Sequence, residues 1–325
     1  MLSPAMLWGG GNPKLISIIG KGLLAYTNDL KNWVQVDLSS SVDSAGRGVA
    51  YNSTNDVLMM SNLGVVGNFP QQVRKTKLGT FKNKSSYSNA LPASGYNPSA
   101  GKLTYDYGKW LYGDVNSRVA LSSNDGLNWT NFNTWGSSAT RNPSIVRYFN
   151  SAARYTTCYP NVSPIGVSPS GSFNSATWSV TATGFTSQTR FIAEGTAGNF
   201  LALGGSTTVG QIATSTNLTT WTSRTWITGT PLPNWAVWNG TTWVIVANGG
   251  NIATSTDAIS WTSRTSGVAV NLLWVDWDSN NNQFIAVGND MAILTSTDGI
   301  DWTNKQAVTT NFSTPTVPIQ TIRVS

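Results

Sequence analysis

Histidine is absent from this 325-residue chain, cysteine occurs once, as Cys158, and glutamate once, as Glu194. Without imidazole the chain lacks the commonest general base and metal ligand, so histidine-based catalysis and the usual zinc sites are excluded and no metal or cofactor is expected. A single thiol forms no intrachain disulfide. Charged residues are only 10% of the chain, with 20 Lys and Arg against 14 Asp and Glu. No run of about 18 apolar residues occurs, so no membrane insertion is expected. The opening M-L-S-P-A-M-L-W has neither a basic n-region nor a long apolar core. The expectation is a protein made in its host's cytoplasm without a secretion signal.

What is abundant is Ser, Thr, Asn and Gly, together with 15 Trp. That composition suits a rigid all-β surface of hydroxyls and amides better than a helical protein. The organising stretch is Ile293 to Trp302, I-L-T-S-T-D-G-I-D-W, whose Ser296, Asp298 and Trp302 return at the same offsets as Ser255, Asp257 and Trp261. Ser123, Asp125 and Trp129 repeat it, as do Thr27, Asp29 and Trp33 with Thr for Ser, and Ser215, Asn217 and Trp221 with Asn for Asp. β-forming residues flank each polar tetrad, which predicts a hairpin. The Asp or Asn accepts bonds from backbone N–H groups a few residues on, the hydroxyl locks the other side, and Gly or a tolerant residue takes positive φ. The Trp is expected to leave the turn on the next strand and offer its apolar face to a neighbouring unit.

These residues resemble the Asp box, or BNR repeat, of sialidase-like β-propellers, with the Gly placed directly after the Asp. The resemblance implies a propeller fold and a structural box remote from any active site. Aligning on Trp33, Phe81, Trp129, Trp178, Trp221, Trp261 and Trp302 gives spacings of 48, 48, 49, 43, 40 and 41 residues. A unit of that size holds four short strands, one propeller blade. The earlier strands repeat as well. An aromatic closing the first strand stands seven residues before the apolar residue opening the second, as in Trp8 and Leu15, Tyr51 and Leu58, and Trp277 and Phe284. The third strand opens nine residues later, at Leu24, Val119, Ile252 and Ile293.

The expected fold is therefore all-β, a seven-bladed β-propeller of four-stranded antiparallel blades spanning residues 1–308, followed by an extended C-terminal tail, 309–325. Blades are expected near 5–38, 46–86, 99–136, 142–183, 188–228, 232–266 and 269–308. Two turns depart from the pattern. Lys75 and Lys77 stand at the Ser and Asp offsets of the second unit, and an insertion after Ser168-Pro169-Ser170-Gly171 delays the fourth unit's aromatic to Trp178. The tail is expected to lie outside the blade count, because Leu7 and Trp8 supply a first strand for the first blade. Its Thr321 to Val324 then add to an exposed sheet edge, on the first blade or on a partner.

Candidate sites are few. Asp276 and Asp278, with Trp274 and Trp277, fall on an inner strand and are the best carboxylates for glycoside hydrolysis. Asn239 at the position of Asp278 favours a turn role instead, and no catalytic residue is assigned. Arg74, Lys75, Lys77, Lys82 and Lys84 form a basic cluster suited to an acidic partner, or to discouraging edge pairing. No aromatic platform interleaves with it, which disfavours nucleic acid. Loops on the face opposite the box turns carry Asn248, Asn251, Asn289 and Asp290, and longer links carry Trp135 and Trp226, all candidates for partner or sugar contact.

The function expected from this sequence is a non-enzymatic structural or adhesion protein of a virus particle, such as a bacteriophage tail, neck or capsid-attached component. It would dock on other virion proteins, through the tail or otherwise, or on a host surface glycan. A glycan-binding lectin, a sialidase-like glycosidase and a photosystem II assembly-type factor are the alternatives.

Overall fold

Runs of Val, Ile, Leu, Thr and aromatic residues, cut every few positions by Gly, Asn and Asp turns, form short antiparallel strands with tight hairpins between them. The structure, a computed structural model, describes residues 14–20, 23–31, 34–37, 48–61, 73–78, 88–89, 102–114, 119–123, 130–133, 145–159, 163–171, 178–196, 198–206, 208–305 and 320–323. Among these the strands assemble into seven four-stranded antiparallel sheets, and no α-helix is present. Among the described residues no helix is long and apolar enough to cross a membrane.

Six sheets use four consecutive strands, in chain order from one edge to the other. Their first strands are Gly48–Asn52, Leu103–Asp106, Ile145–Phe149, Gln188–Glu194, Pro233–Trp238 and Leu272–Asp278. These strands pack side by side from sheet to sheet. The second strands are buried on both faces, as in Phe200–Gly205 and Trp243–Ala247, where every residue is buried. That explains why they read as continuous apolar runs rather than as an alternation.

The core consists of layers between adjacent sheets. Leu103, Trp110 and Tyr112 of the third sheet meet Ala50 and Met59 of the second. Leu111 meets Val146, Tyr155 and Trp178 of the fourth. Val244, Val246 and Ile252 meet Phe284, Ala286 and Leu294 across the sixth and seventh. Each fully buried side chain of this kind contributes roughly 1.5–3 kcal/mol relative to exposure. Gly195 makes one such layer possible, because a Cβ there would stand 2.4 Å from Cζ2 of Trp243 on the neighbouring sheet.

The first sheet is built differently. Its order is Gln320–Arg323, Leu15–Gly20, Leu23–Thr27, Val34–Asp37, so the C-terminal segment fills the first-strand position. Leu15 pairs with Arg323 and Ile16 with Ile322. Gln320–Arg323 also packs beside the first strands of the second and seventh sheets. Residues 320–323, assigned to the tail beyond residue 308, thus add to the free edge of Leu15–Gly20, one of the two places expected for Thr321 to Val324, and the edge gains the hydrogen-bonding partner it needs. Leu7 and Trp8, and residues 309–319, lie outside the described residues. Elsewhere the expected registers are seen, with Tyr51 opposite Leu58 and Trp277 opposite Phe284.

Candidate functional site

The repeated turns come first, since they carry most of the residues singled out in the sequence. Ser255 Oγ accepts the N–H of Ala258 at 2.9 Å and donates to Asp257 Oδ1 at 2.8 Å. Asp257 Oδ1 in turn accepts the N–H groups of Ile259 and Ser260 at 2.8 and 2.7 Å. Ser296 and Asp298 repeat this with Gly299, Ile300 and Asp301. Ser215 and Asn217 repeat it with Leu218, Thr219 and Thr220, and Thr27 and Asp29 with Leu30 and Lys31. The residue after the acid or amide takes positive φ in all four: Leu30, Leu218, Ala258 and Gly299. The backbone bonds from Ser260 and Ile259 hold the Asp257 carboxyl down to about 2, and those from Asp301 and Ile300 lower that of Asp298. Ser123 ends the Val119–Ser123 strand, but its side chain and Asp125 lie outside the described residues.

The two divergent units solve the same problem by other means. In the second, Lys77 is exposed, and Asp56, from the preceding hairpin, accepts the N–H of Leu78 at 3.1 Å and the hydroxyl of Tyr51 at 3.2 Å. In the fourth, Ser168 Oγ accepts the N–H of Tyr155 at 2.9 Å and so staples the adjoining strand.

Six first strands converge on a cavity of about 300 Å³. Phe191, Trp235 and Trp274 line it from equivalent places in the fifth, sixth and seventh sheets. Each follows a register shift, at Arg190, Asn234 and Leu273 respectively. Such bulges re-aim the next side chain. Phe191 and Trp235 stack at 3.8 Å and 21°, and the Arg147 guanidinium lies 5.2 Å from the Phe191 ring. Arg147 Nε donates to Asp106 Oδ2 at 2.8 Å, and the N–H of Tyr148 donates to the same oxygen at 3.1 Å. Both partners of this ion pair are largely buried, which favours the bonded geometry and makes loss of either one costly. Glu194 accepts the Ser151 hydroxyl. Burial, and then the Glu194 carboxylate, raise the Tyr107 phenol. Lys102 Nζ stands 5.1 Å from the Trp235 ring centroid. Burial, then the neighbouring Arg190, push the Lys102 ammonium down to about 8, and burial pushes the Cys158 thiol up to about 12.

Asp276 lines this cavity; Asp278 does not. Asp278 is fully buried and caps its hairpin, accepting the N–H groups of Asn280 and Asn281 at 3.1 and 3.3 Å. Asn239 does the same for Thr241 and Thr242. Trp226 is 5% exposed and packs in the core, which removes it as a ligand contact. Asn248 and Asn251 are tied within the sixth sheet, which Asn234 joins to the seventh. Asn234 Nδ2 donates to Asn248 Oδ1 at 2.9 Å and to Leu272 O at 2.8 Å, and Asn251 Nδ2 donates to Asn248 O at 2.7 Å. The N–H of Asn289 donates to Asn271 O at 2.8 Å, and Asp290 takes φ 56° in the loop after Gly288. Asn248, Asn251 and the Asn289 backbone are thus engaged in bonds that hold these loops, and Asp290 sits at a left-handed position of the last of them. Arg74 and Lys75 lie on the Val73–Thr76 strand with side chains outside the described residues, as are Trp135, Lys82 and Lys84. Among the described residues no group of three or more His, Cys, Asp or Glu side chains is placed to hold a metal.

A second cavity, of about 440 Å³, opens between the fifth and sixth sheets beside the Asn217 and Asp257 turns. Sequence patterns gave no signal for it, because its walls come from two different repeats.

Residues 174–324 match the model of the DUF6242 beta propeller domain. No curated protein matches the chain in sequence. Among solved structures, the WD40 beta propeller domain of Doa1 is similar with a TM-score of 0.60 at 14% identity, covering 88% of this chain and 90% of that one. YCF48 from Cyanidioschyzon merolae gives 0.58 at 13% identity, over 88% and 96%. Virginiamycin B lyase from Staphylococcus aureus gives 0.61 at 11% identity, over 85% and 92%. At such identities the likeness concerns the fold alone. With four-stranded antiparallel sheets whose first strands face one another around a cavity, the chain is a β-propeller.

Proposed function

We propose that the chain is a non-enzymatic docking or adhesion propeller of seven blades, held by Asp-box-like turns, that serves in a virus particle as a bacteriophage tail, neck or capsid-attached component. The observation that supports a non-enzymatic role is the use made of the acids. Asp29, Asp56, Asp106, Asp257, Asp278 and Asp298 each accept at least one backbone N–H. Carboxylates committed in this way are tied to holding the backbone, and the same bonds keep those of Asp257 and Asp298 below the usual range, whereas a general acid must hold a proton near the working pH. Glu194, the only glutamate, accepts from Ser151. A surface low in charge and rich in hydroxyls and amides supports the particle context. Partners would be other virion proteins or a host surface glycan, met through the loops and clefts of the blades, since residues 320–323 are engaged in the first sheet.

Mass spectrometry of purified particles tests the location: the chain is expected among virion proteins, and its absence overturns the particle role. Turnover of sialosides or bacterial polysaccharides that disappears in Asp276→Asn would overturn the non-enzymatic role.

A further inference from the structure

The cavity between the fifth and sixth sheets is larger than the axial one and differs in chemistry. One side is apolar: Trp238 is half-buried, tilted 46° against Trp243 at 5.3 Å, and Ile259 at the rim is 49% exposed. The other side is a set of groups with bonding capacity to spare. Asn217 uses only its Oδ1, on Ser215, Thr219 and Thr220, and its amide NH₂ makes no bond among the described residues. Asp257 takes the Ser255 hydroxyl and the Ile259 and Ser260 N–H groups through Oδ1, the Ser260 hydroxyl adds a bond to the carboxylate, and Oδ2 keeps lone-pair capacity as an acceptor. Arg224 donates through Nε to Thr214 Oγ1 at 2.9 Å, and its terminal N–H groups make no bond among the described residues. The exposed hydroxyl of Thr220 stands at the same wall.

We infer that this cleft is a binding subsite for a neutral carbohydrate. A sugar ring has an apolar C–H face, which Trp238 is suited to cover, and hydroxyls that both donate and accept. Those hydroxyls match the donors of Asn217 and Arg224 and the acceptor Oδ2 of Asp257. One cation and one anion line the cleft, so it has no net charge to select an acidic sugar or a phosphate. Its volume falls within the range of roughly 300–1,000 Å³ found for ligand pockets. The turns thus serve the site as well as the fold: the bonds that fix Asn217 and Asp257 to the backbone also pre-orient their outer atoms. The subsite does not depend on the virion role, and it is tested in solution, so either can fail alone.

The test is titration calorimetry and tryptophan fluorescence with three neutral disaccharides, maltose, lactose and N,N′-diacetylchitobiose, and with an acidic one, a galacturonic acid dimer. At least one neutral disaccharide is expected to bind with a Kd on the order of 1 mM and to change the fluorescence. Trp238→Ala should weaken it about tenfold. Trp238 also borders the axial cavity, so Thr220→Val, which touches the cleft alone, should weaken it severalfold with an unchanged melting temperature. No binding by any neutral disaccharide up to about 20 mM, equal binding by both variants, or tighter binding of the acidic dimer would each overturn the inference.

Discussion

The indole N–H of Trp302 donates to the carbonyl oxygen of Gly299 at 2.9 Å. Trp261 and Trp221 do the same to Ala258 and Leu218, at 3.2 and 3.1 Å. In these three repeats the tryptophan therefore closes its own turn from the far side, while its ring packs on a core layer. The turn is one cooperative unit of hydroxyl, acid or amide, positive-φ residue and indole.

Asp298→Ala removes the acceptor for Ile300 and Asp301 N–H at the exposed end of that unit. A loss of about 1–2 kcal/mol is expected by urea denaturation. A loss below about 0.3 kcal/mol would mean that water replaces the carboxylate without cost.

The Asp257 carboxyl is depressed to about 2 in the fold, below its unfolded value of about 3.9. Its stabilisation is complete above the unfolded value and is lost as pH falls from about 4 through about 2. Asn217 makes the same backbone bonds without titrating, so Asp257→Asn should fold normally and show a shallower acid transition in thermal melts between pH 4 and 2. An unchanged acid transition would contradict this.

Ala258 takes φ 61° where the seventh sheet's turn has Gly299 at φ 80°. Left-handed backbone costs a non-glycine residue roughly 1–2 kcal/mol, partly offset by the extra unfolded-state entropy of glycine. Ala258→Gly should raise stability by about 0.5 kcal/mol, seen as a higher urea midpoint with unchanged m-value. A fall in the midpoint would show that the buried methyl outweighs the strain.

Gly195→Ala places a methyl against the Trp243 ring at a distance no real contact shows. The fifth and sixth sheets must separate or the indole must turn, at an expected cost of about 1–3 kcal/mol. Gly195→Ala combined with Trp243→Leu should recover part of that loss, and failure to recover it would place the strain elsewhere.

Lys102 is lowered to about 8 in the fold, from about 10.4 when unfolded. Between these values the unfolded chain binds more protons, so stability should rise with pH, and below about 8 the penalty for the buried ammonium is complete. Lys102→Met should remove that alkaline rise and increase the melting temperature at pH 7. An unaltered slope between pH 8 and 10 would show that the stacking on Trp235 offsets the desolvation.

What the sequence revealed was local. Tyr51 opposite Leu58, Trp277 opposite Phe284, and the bonds of Ser296 and Asp298 all lie within one hairpin, where spacing alone fixes geometry. What it hid was the meeting of distant segments. Asp56, standing in for the missing acid at Lys77, reaches the N–H of Leu78 across a sequence separation of 22, too long for any turn pattern. The bulges that turn Phe191, Trp235 and Trp274 toward the axial cavity depend on strand pairing that no periodicity records. Trp226 reads as a loop residue in sequence, and only the packing of two sheets puts it in the core.

Leu15 and Arg323 are paired although roughly three hundred positions separate them, a loop whose closure entropy must be met before the contact gives anything back. Each of the other sheets can zip from its own hairpins, but the first has to wait for a distant partner with its Leu15–Gly20 edge unpaired. During that wait the same edge is open to the Gln320–Arg323 segment of a second copy, which would produce a strand-exchanged dimer with native pairing in both halves. Refolding at high protein concentration is therefore where this molecule is most exposed to error, and dilution favours the monomer because it favours the chain's own end.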